Sequence, residues 1–165
     1  MQPPFRIADS AGAAERRAAA VQLNRDQTGV DEALIDRVVD AFYARVRDDA
    51  LIGPIFADRI EDWGPHLAQM KRFWSSVVLS SGVYQGRPMP KHLPLPIDAR
   101  HFDRWLALFQ DTVRDLCPPA AADSFMERAR RIADSLELGV ANANGVLLAP
   151  GERYRAPPPP WNGEA

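Results

Sequence analysis

The sequence predicts an all-α protein, on three observations. Four stretches place apolar residues at the three- and four-residue spacing of one helix face. No stretch alternates apolar and polar residues over the length of a β-strand. Clusters of proline and glycine separate the four stretches. The chain has 165 residues, a length typical of one domain with a sizeable core.

The first of these helices is expected to start near residues 28–31 and to end at about Arg47. Thr28 and Asp31 have the spacing of a capping box, with aspartate in place of the usual glutamate. Tyr43 lies beside the apolar stripe. The stripe itself consists of Leu34, Ile35, Val38, Val39, Phe42 and Val46. After this helix, residues 51–56 are expected to form a turn that carries apolar anchors.

A second helix is predicted over residues 62–80, and a long loop over residues 82–97. His66 and Met70 are four residues apart, so they share one face of this helix. Its apolar side consists of Trp63, Leu67, Met70, Phe73, Trp74, Val77 and Val78. A 16-residue loop is long for a compact domain, and loops of that length often carry function.

The third and fourth helices are predicted after this loop. Asp98 is the expected N-cap of the third helix, which should end at Cys117 because two prolines follow. The fourth helix is expected over residues 120–143. The inward residues are Phe102, Trp105, Leu106, Phe109, Val113 and Leu116 in the third helix and Phe125, Ala129, Ile132, Ala133, Leu136 and Val140 in the fourth.

The domain is expected to span residues 29–145, between two extensions. Residues 1–28 are predicted to be partly disordered, with a short helix over residues 13–23. Residues 146–165 are rich in proline and are predicted to be a disordered tail. Within this tail, Trp161 is the exposed aromatic residue that we consider for contact with a partner.

Charge and cysteine content exclude several classes of protein. The formal net charge is −2, so nothing indicates binding to nucleic acid or to an anionic membrane. No apolar run has the length of a transmembrane helix, and residues 1–28 lack the apolar core of a signal peptide. Cys117 is the single cysteine, which fits a cytoplasmic location.

His92 is the candidate metal ligand. It lies in residues 88–96, which contain four prolines, and these should hold it on a stiff, partly extended segment between Leu93 and Leu95. An imidazole held rigidly between apolar side chains suits the proximal side of a haem iron. For a histidine considered alone, a surface position in a loop is the more common outcome.

Several short sequences together resemble group III truncated haemoglobins. They are residues 42–47, residues 51–56, Trp63 with His66, residues 73–74, residues 86–88, residues 91–93 with 95–96, and residues 102–109. Their order and spacing are more specific than any one of them, and the resemblance covers most of residues 30–140. It implies a shortened globin fold, a two-over-two helical sandwich around haem b.

The resemblance also implies roles for individual residues. His92 would be the proximal ligand of the iron, and Tyr43, His66 and Trp105 would lie on the distal side. The haem wall would consist of Phe42, Phe56, Met70, Phe73, Leu93 and Phe102. Four residues near the proximal segment are expected as contacts of the haem propionates: Arg87, Lys91, Arg100 and His101.

The expected function is reversible binding of a diatomic gas, namely O2, NO or CO. Distal donors would each stabilise the bound gas by about 1 kcal/mol, so release should be slow. Slow release suits chemistry on nitric oxide or peroxide, with a reductase as electron donor, or sensing, better than transport. His66 could donate to the ligand, swing outward, bind the iron itself, or be a solvent-exposed histidine without a role.

Two other hypotheses remain open at this point. The three histidines, His66, His92 and His101, could bind a metal without haem, although their spacing differs from compact zinc sites. The helices could also form a protein-interaction domain that needs no cofactor.

Overall fold

The computed structural model describes residues 10–158, and within them the chain forms seven α-helices and one π-helical turn. This part of the chain contains no β-strand, so the predicted all-α class is confirmed. The helices are α1 (Ser10–Thr28), α2 (Glu32–Asp48), α3 (Gly53–Arg59), α4 (Trp63–Trp74), α5 (Pro88–His92), α6 (Ala99–Leu116) and α7 (Pro119–Ala143), and the π-helical turn is Ser75–Leu79.

Two pairs of helices enclose the core. Helix α2 packs against α4, α6 packs against α7, and α2 also packs against α6, which joins the two pairs. Three aromatic rings lie at the centre: Trp74 stacks on Phe109 with ring centroids 4.7 Å apart, and Phe125 approaches Phe109 edge-on. This arrangement is the two-over-two sandwich expected of a shortened globin.

Helix α2 has the predicted apolar stripe but begins later than expected. Asp31 is its N-cap and accepts a hydrogen bond from the Leu34 N–H at 2.8 Å. Thr28 instead ends α1, where its hydroxyl donates to the Asn24 carbonyl. The whole predicted stripe and Tyr43 are buried. Residues three or four positions apart lie on one face of a helix, and this face is turned toward the core.

The second predicted helix has the expected extent but changes geometry near its end. The α-helix ends at Trp74, and the wider π-helical turn continues to Leu79. The Ser75 hydroxyl lies 2.6 Å from a Glu32 carboxylate oxygen and 2.7 Å from the Ser81 hydroxyl. Ser80 then ends the element in the left-handed conformation, with φ of 60°.

The expected turn over residues 51–56 contains the start of a helix, α3. A Cβ atom on Gly53 would lie 2.9 Å from the Val46 carbonyl oxygen. Glycine therefore lets the start of α3 approach the end of α2 at a distance that no other residue allows. Pro54 is tolerated because it lies in the first helical turn.

Helix α1 is longer than the helix expected over residues 13–23, and it packs on the domain. It contacts the π-helical turn and α7, and the Asn24 amide donates to the Leu79 carbonyl at 3.2 Å. Val21 lies against the main core. Residues 10–28 thus differ from the partly disordered extension that the sequence predicted, while residues 1–9 lie outside the described part of the chain.

Residues 146–158 belong to the tail that the sequence predicted to be disordered, and part of this segment packs on the domain. Residues 148–156, the C-terminal strap, lie across the start of α6, and Tyr154 is only 2% exposed. Tyr154 belongs to a second apolar cluster with Ile97, Phe102, Ala133, Val140 and Ala141, against which Ile55, Leu95, Leu106, Leu136 and Leu148 pack. Tyr154 thus anchors on the domain a segment whose composition favours disorder. Trp161 lies outside the described residues.

Polar contacts fasten the last four residues of the C-terminal strap. The Ala99 N–H donates to the Tyr154 carbonyl at 2.8 Å, and the Ala156 N–H donates to the Asp98 carboxylate at 3.1 Å. Arg153 forms an ion pair with Glu137 of α7. The strap therefore ties the N-terminus of α6 to α7.

Within residues 10–158, no helix combines the length and the apolar character that crossing a membrane requires.

Candidate functional site

His92 is the last residue of the short helix α5, not part of an extended segment as predicted. Pro88 and Pro90 lie in the first turn of α5. Backbone N–H groups in a first turn have no acceptor within the helix, so prolines are tolerated there and even favour a helix start. The prolines thus begin this helical turn, and His92 follows them by a few residues.

A short hydrogen bond fixes the imidazole of His92. Its Nδ1 atom lies 2.6 Å from the carbonyl oxygen of Pro88. A carbonyl can only accept, so Nδ1 carries the hydrogen and donates it. In a neutral imidazole this leaves the Nε2 lone pair unused. When one ring nitrogen of a histidine binds a metal, a hydrogen bond from the other nitrogen fixes the tautomer and the orientation of the ring.

Helix α5 rests on α7 at Gly139. A Cβ atom on Gly139 would lie 3.0 Å from the Met89 methyl carbon, closer still to its sulfur, and 3.4 Å from Leu93. Met89 and Leu93 flank His92 along the chain. The absence of a side chain at Gly139 therefore allows the segment that carries His92 to approach the backbone of α7.

Tyr43 and His66 meet where α2 faces α4. Their ring centroids lie 5.2 Å apart with the planes at 89°. Burial raises the pKa of the Tyr43 phenol well above its ordinary value, so the hydroxyl remains a donor. Burial also lowers the pKa of His66, and the charge of Lys91 lowers it further. Both effects favour the neutral form of the His66 imidazole.

The Nε2 atom of His66 is buried and makes no hydrogen bond within residues 10–158. Buried polar atoms without a partner are rare in folded proteins and often mark a functional position. The arrangement leaves one polar atom of the imidazole available to a small molecule beside Tyr43.

Trp63 completes this group, although the sequence predicted it only as a core residue. Its ring centroid lies 5.8 Å from that of Tyr43 and 5.6 Å from that of His66. The Arg47 guanidinium lies over the Trp63 ring, 4.7 Å from its centroid. Helical spacing is the sequence signal that could have placed both residues near the site, because Arg47 follows Tyr43 by four residues and Trp63 precedes His66 by three.

Trp105 reaches the same region through Phe42. The Phe42 ring lies 5.0 Å from the Tyr43 ring and 5.6 Å from the Trp105 ring. Trp105 is half-buried and stacks on Phe109 with the planes 5° apart. The structure thus joins Tyr43 and His66 directly, and Trp105 through one intervening ring.

The predicted wall residues fall into two sets. Phe42 and Phe102 are buried in the two apolar clusters. The other four are half-buried: Phe56, Met70, Phe73 and Leu93. Apolar side chains that are inward-facing but incompletely covered are what a cleft for a large apolar group would have.

The four predicted propionate contacts differ in their surroundings. Arg100 donates twice to the Asp98 carboxylate, and the His101 Nδ1 atom accepts the Asp98 N–H, which completes the α6 capping box. Both therefore have a structural task. Arg87 and Lys91 are exposed beside His92. Contact of these four residues with propionates stays a prediction.

The three histidines do not form a common metal site. Within residues 10–158, no three histidine, cysteine, aspartate or glutamate side chains are arranged to hold a metal ion. His101 uses its Nδ1 atom in the capping box. The geometry thus gives no support to a three-histidine metal module.

The sequence comparisons agree with this architecture. The family model of the bacterial-like globins matches residues 25–137. A group 3 truncated hemoglobin from Campylobacter jejuni is 32% identical over 113 residues, which cover 66% of this chain and 89% of that protein. A group 2 truncated hemoglobin from Bacillus subtilis is 30% identical over 95 residues, which cover 54% of this chain and 70% of the relative.

Solved structures give the same result. The crystal structure of the group III truncated hemoglobin from Campylobacter jejuni superposes with a TM-score of 0.61, covering 66% of this chain and 89% of that one at 32% identity. A group II structure from Bacillus anthracis superposes with a TM-score of 0.58, covering 68% and 88% at 22% identity, and supports the fold alone. The chain therefore belongs to the bacterial-like globin family, and its resemblance to group III truncated haemoglobins is confirmed.

Proposed function

We propose that the protein binds haem b through His92 and reversibly binds O2, NO or CO on the side of Tyr43 and His66. Membership in the globin family implies haem binding. The observation that carries the assignment of the ligand is the hydrogen bond from His92 Nδ1 to the Pro88 carbonyl. This bond leaves Nε2 as the ring nitrogen that can bind iron.

The residues present fit a haem group. A porphyrin needs an extended apolar wall, and the half-buried side chains of Phe56, Met70, Phe73 and Leu93 would contribute to one. A distal ligand needs polar groups in an otherwise apolar pocket, and the unpartnered Nε2 atom of His66 is one.

The haem would supply an iron centre that takes up a diatomic gas, and the chain would supply donors. The Tyr43 hydroxyl stays protonated and can donate. Trp105 can contribute only its indole N–H. Each net hydrogen bond is worth about 1 kcal/mol, or roughly a fivefold change in the release rate. Two or more such bonds favour slow release, which suits redox chemistry or sensing better than transport.

The redox chemistry that we propose acts on nitric oxide or peroxide. It requires an electron donor, and a reductase is the partner that we expect. The cytoplasmic location expected from the single cysteine agrees with such a reaction.

An absorption spectrum tests this function. The purified protein should show an intense Soret band, which should shift when carbon monoxide is added to the reduced form. A protein that stays colourless after addition of excess haem would contradict the proposal. If the Soret band is present but insensitive to carbon monoxide, haem binding is supported and reversible gas binding is not.

A further inference from the structure

We propose that Trp63 is a positioning residue for His66, and that Arg47 holds Trp63 in place. This inference rests on the proposed function, in which His66 faces the bound gas. Neither residue was expected in the site. The argument starts from how the imidazole of His66 is oriented.

Ring packing, not hydrogen bonding at Nε2, sets the orientation of the His66 imidazole. The Nε2 atom has no hydrogen-bond partner within the described residues. Two aromatic rings flank the imidazole instead, Tyr43 at 5.2 Å and Trp63 at 5.6 Å between centroids, each with its plane at 89° to that of the imidazole. Perpendicular contacts of this kind are a preferred geometry of aromatic pairs, and rotation of the imidazole would disrupt both.

Tyr43 and Trp63 also contact each other. The rings of Tyr43 and Trp63 lie 5.8 Å apart, so each of the three rings contacts the other two. Tyr43 is 4% exposed and fixed within the core. Trp63 is half-buried, so it is the member whose position needs support from outside the core.

Two features supply that support. The Asp62 side chain accepts the Gly64 N–H at 3.1 Å and thereby fixes the backbone at the start of α4. The Arg47 guanidinium covers the Trp63 ring at 4.7 Å from the centroid. Arg47 lies four residues after Tyr43 on α2, so the same helix presents both the phenol and the guanidinium.

The effect of Trp63 should therefore be exerted through His66. Removing the indole would leave the imidazole held by Tyr43 alone, and the direction of its N–H relative to a bound gas would vary. An indole that only filled the core would change the stability of the protein instead, without a specific effect on the distal hydrogen bond.

The test uses the haem-loaded protein with carbon monoxide and oxygen as probes. Trp63→Ala should shift the C–O stretching band and abolish the nuclear Overhauser contact between the His66 and Tyr43 rings in the carbon monoxide complex. Oxygen release should become roughly fivefold faster, the factor for one lost hydrogen bond. Trp63→Phe keeps an aromatic ring and should restore the contact. Arg47→Ala should act in the same direction with a smaller change.

Two controls separate positioning from packing. Arg45→Ala removes an arginine of the same helix whose guanidinium contacts Thr112 and Asp115 instead of Trp63, and it should leave every reading unchanged. In a His66→Leu background, Trp63→Ala should no longer change oxygen release. An equal change in both backgrounds would overturn the proposal, as would an unchanged C–O band with the ring contact intact.

Failure of this inference differs from failure of the proposed function. If no Soret band forms in the unmodified chain, the proposed function is contradicted. If the band forms but Trp63 and Arg47 variants behave like Arg45→Ala, only the positioning role is contradicted. Should Trp63→Ala not fold, Trp63→Leu and Arg47→Ala provide the same readings.

Discussion

Each side of the proposed haem site contains a histidine imidazole, and the two imidazoles differ in their hydrogen bonds. On one side, His92 donates from Nδ1 to the Pro88 carbonyl at 2.6 Å. On the other, the Nε2 atom of His66 is buried without a partner, and the imidazole lies between the rings of Tyr43 and Trp63. An imidazole that holds a metal needs a fixed direction, whereas one that meets a transient ligand needs an unused polar atom.

The difference between the two imidazoles also affects the stability of the folded protein. A buried polar atom without a partner destabilises a protein by about 1–3 kcal/mol. The proximal arrangement avoids this cost, and the distal arrangement accepts it until a ligand arrives. If the comparison is correct, proximal substitutions should affect ligation and stability, and distal substitutions should mainly affect ligand kinetics.

The largest expected effect is that of His92→Gly. Removing the imidazole should abolish the five-coordinate ferrous spectrum, and added imidazole should restore it, because the small molecule can occupy the space left by the side chain. Absorption spectra of the reduced protein measure both states. His101→Gly is the matched control and should retain the spectrum, since His101 caps α6. Unchanged spectra in His92→Gly would remove this residue as the proximal ligand.

Next in size is Asp98→Ala, which tests how the C-terminal strap is fastened to the start of α6. The carboxylate is fully buried, caps α6, and accepts from Arg100 and from Ala156 of the C-terminal strap. Loss of the cap and of these bonds should lower the free energy of unfolding by about 2 kcal/mol or more. Urea denaturation measures this change. A loss below about 0.5 kcal/mol, which is typical of surface substitutions, would show that the strap contributes little.

The same carboxylate predicts a pH dependence. Burial alone would raise the pKa of Asp98, but hydrogen bonds from Arg100 and from backbone N–H groups outweigh it and lower the pKa to about 2, against an ordinary value of 3.8. The unfolded chain therefore takes up the proton first as pH falls. The stability that the charge provides should be complete above about pH 4 and disappear toward pH 2. The difference in unfolding free energy between the natural chain and Asp98→Asn should shrink over that interval.

Smaller changes are expected on the distal side. Tyr43→Phe and Trp105→Phe should each accelerate oxygen release roughly fivefold if each donor contributes about 1 kcal/mol. Stopped-flow displacement of oxygen by carbon monoxide measures the rate. Neither substitution should alter the five-coordinate ferrous spectrum, which would sharpen the contrast with His92. A rate unchanged in one variant would remove that residue from the distal donors.

The smallest expected effect concerns the contact between α5 and α7. Alanine is favoured over glycine inside a helix by about 1 kcal/mol, so Gly139→Ala would stabilise an isolated helix. Because its Cβ would overlap the end of the Met89 side chain, which would have to turn away, part of that gain should be lost. In a Met89→Ala background the full gain should reappear, and thermal unfolding of the four proteins measures it. A full gain in the natural background would contradict close packing at Gly139.

The sequence predicted what depends on local pattern. Residues of one helix face and the N-cap at Asp98 follow from spacing and side-chain chemistry, and both are confirmed. The extended segment predicted around His92 is wrong, because a proline that breaks the interior of a helix can also start one. The outcome depends on position within the turn.

Contacts between distant segments were harder to predict. Tyr154 lies among charged residues and prolines with no periodic neighbours, so nothing local indicated that it is buried. The spacing of Trp63 predicts that it lies on the apolar face of its helix. Spacing does not predict which other helix that face contacts. The contact of Trp63 with His66 follows from spacing within α4, whereas its contact with Arg47 depends on how α2 crosses α4.

The C-terminal strap has a consequence for exchanging segments between relatives. The family match ends at residue 137, before Tyr154, and begins at residue 25, near the end of α1. A gene fragment cut at those limits would lose the Tyr154 ring, which packs with Ile97, Phe102 and Ala133. The uncovered apolar patch would favour aggregation of the shortened protein. The unit to transplant into a chimaera is therefore residues 10–158, which is longer than the shared homology.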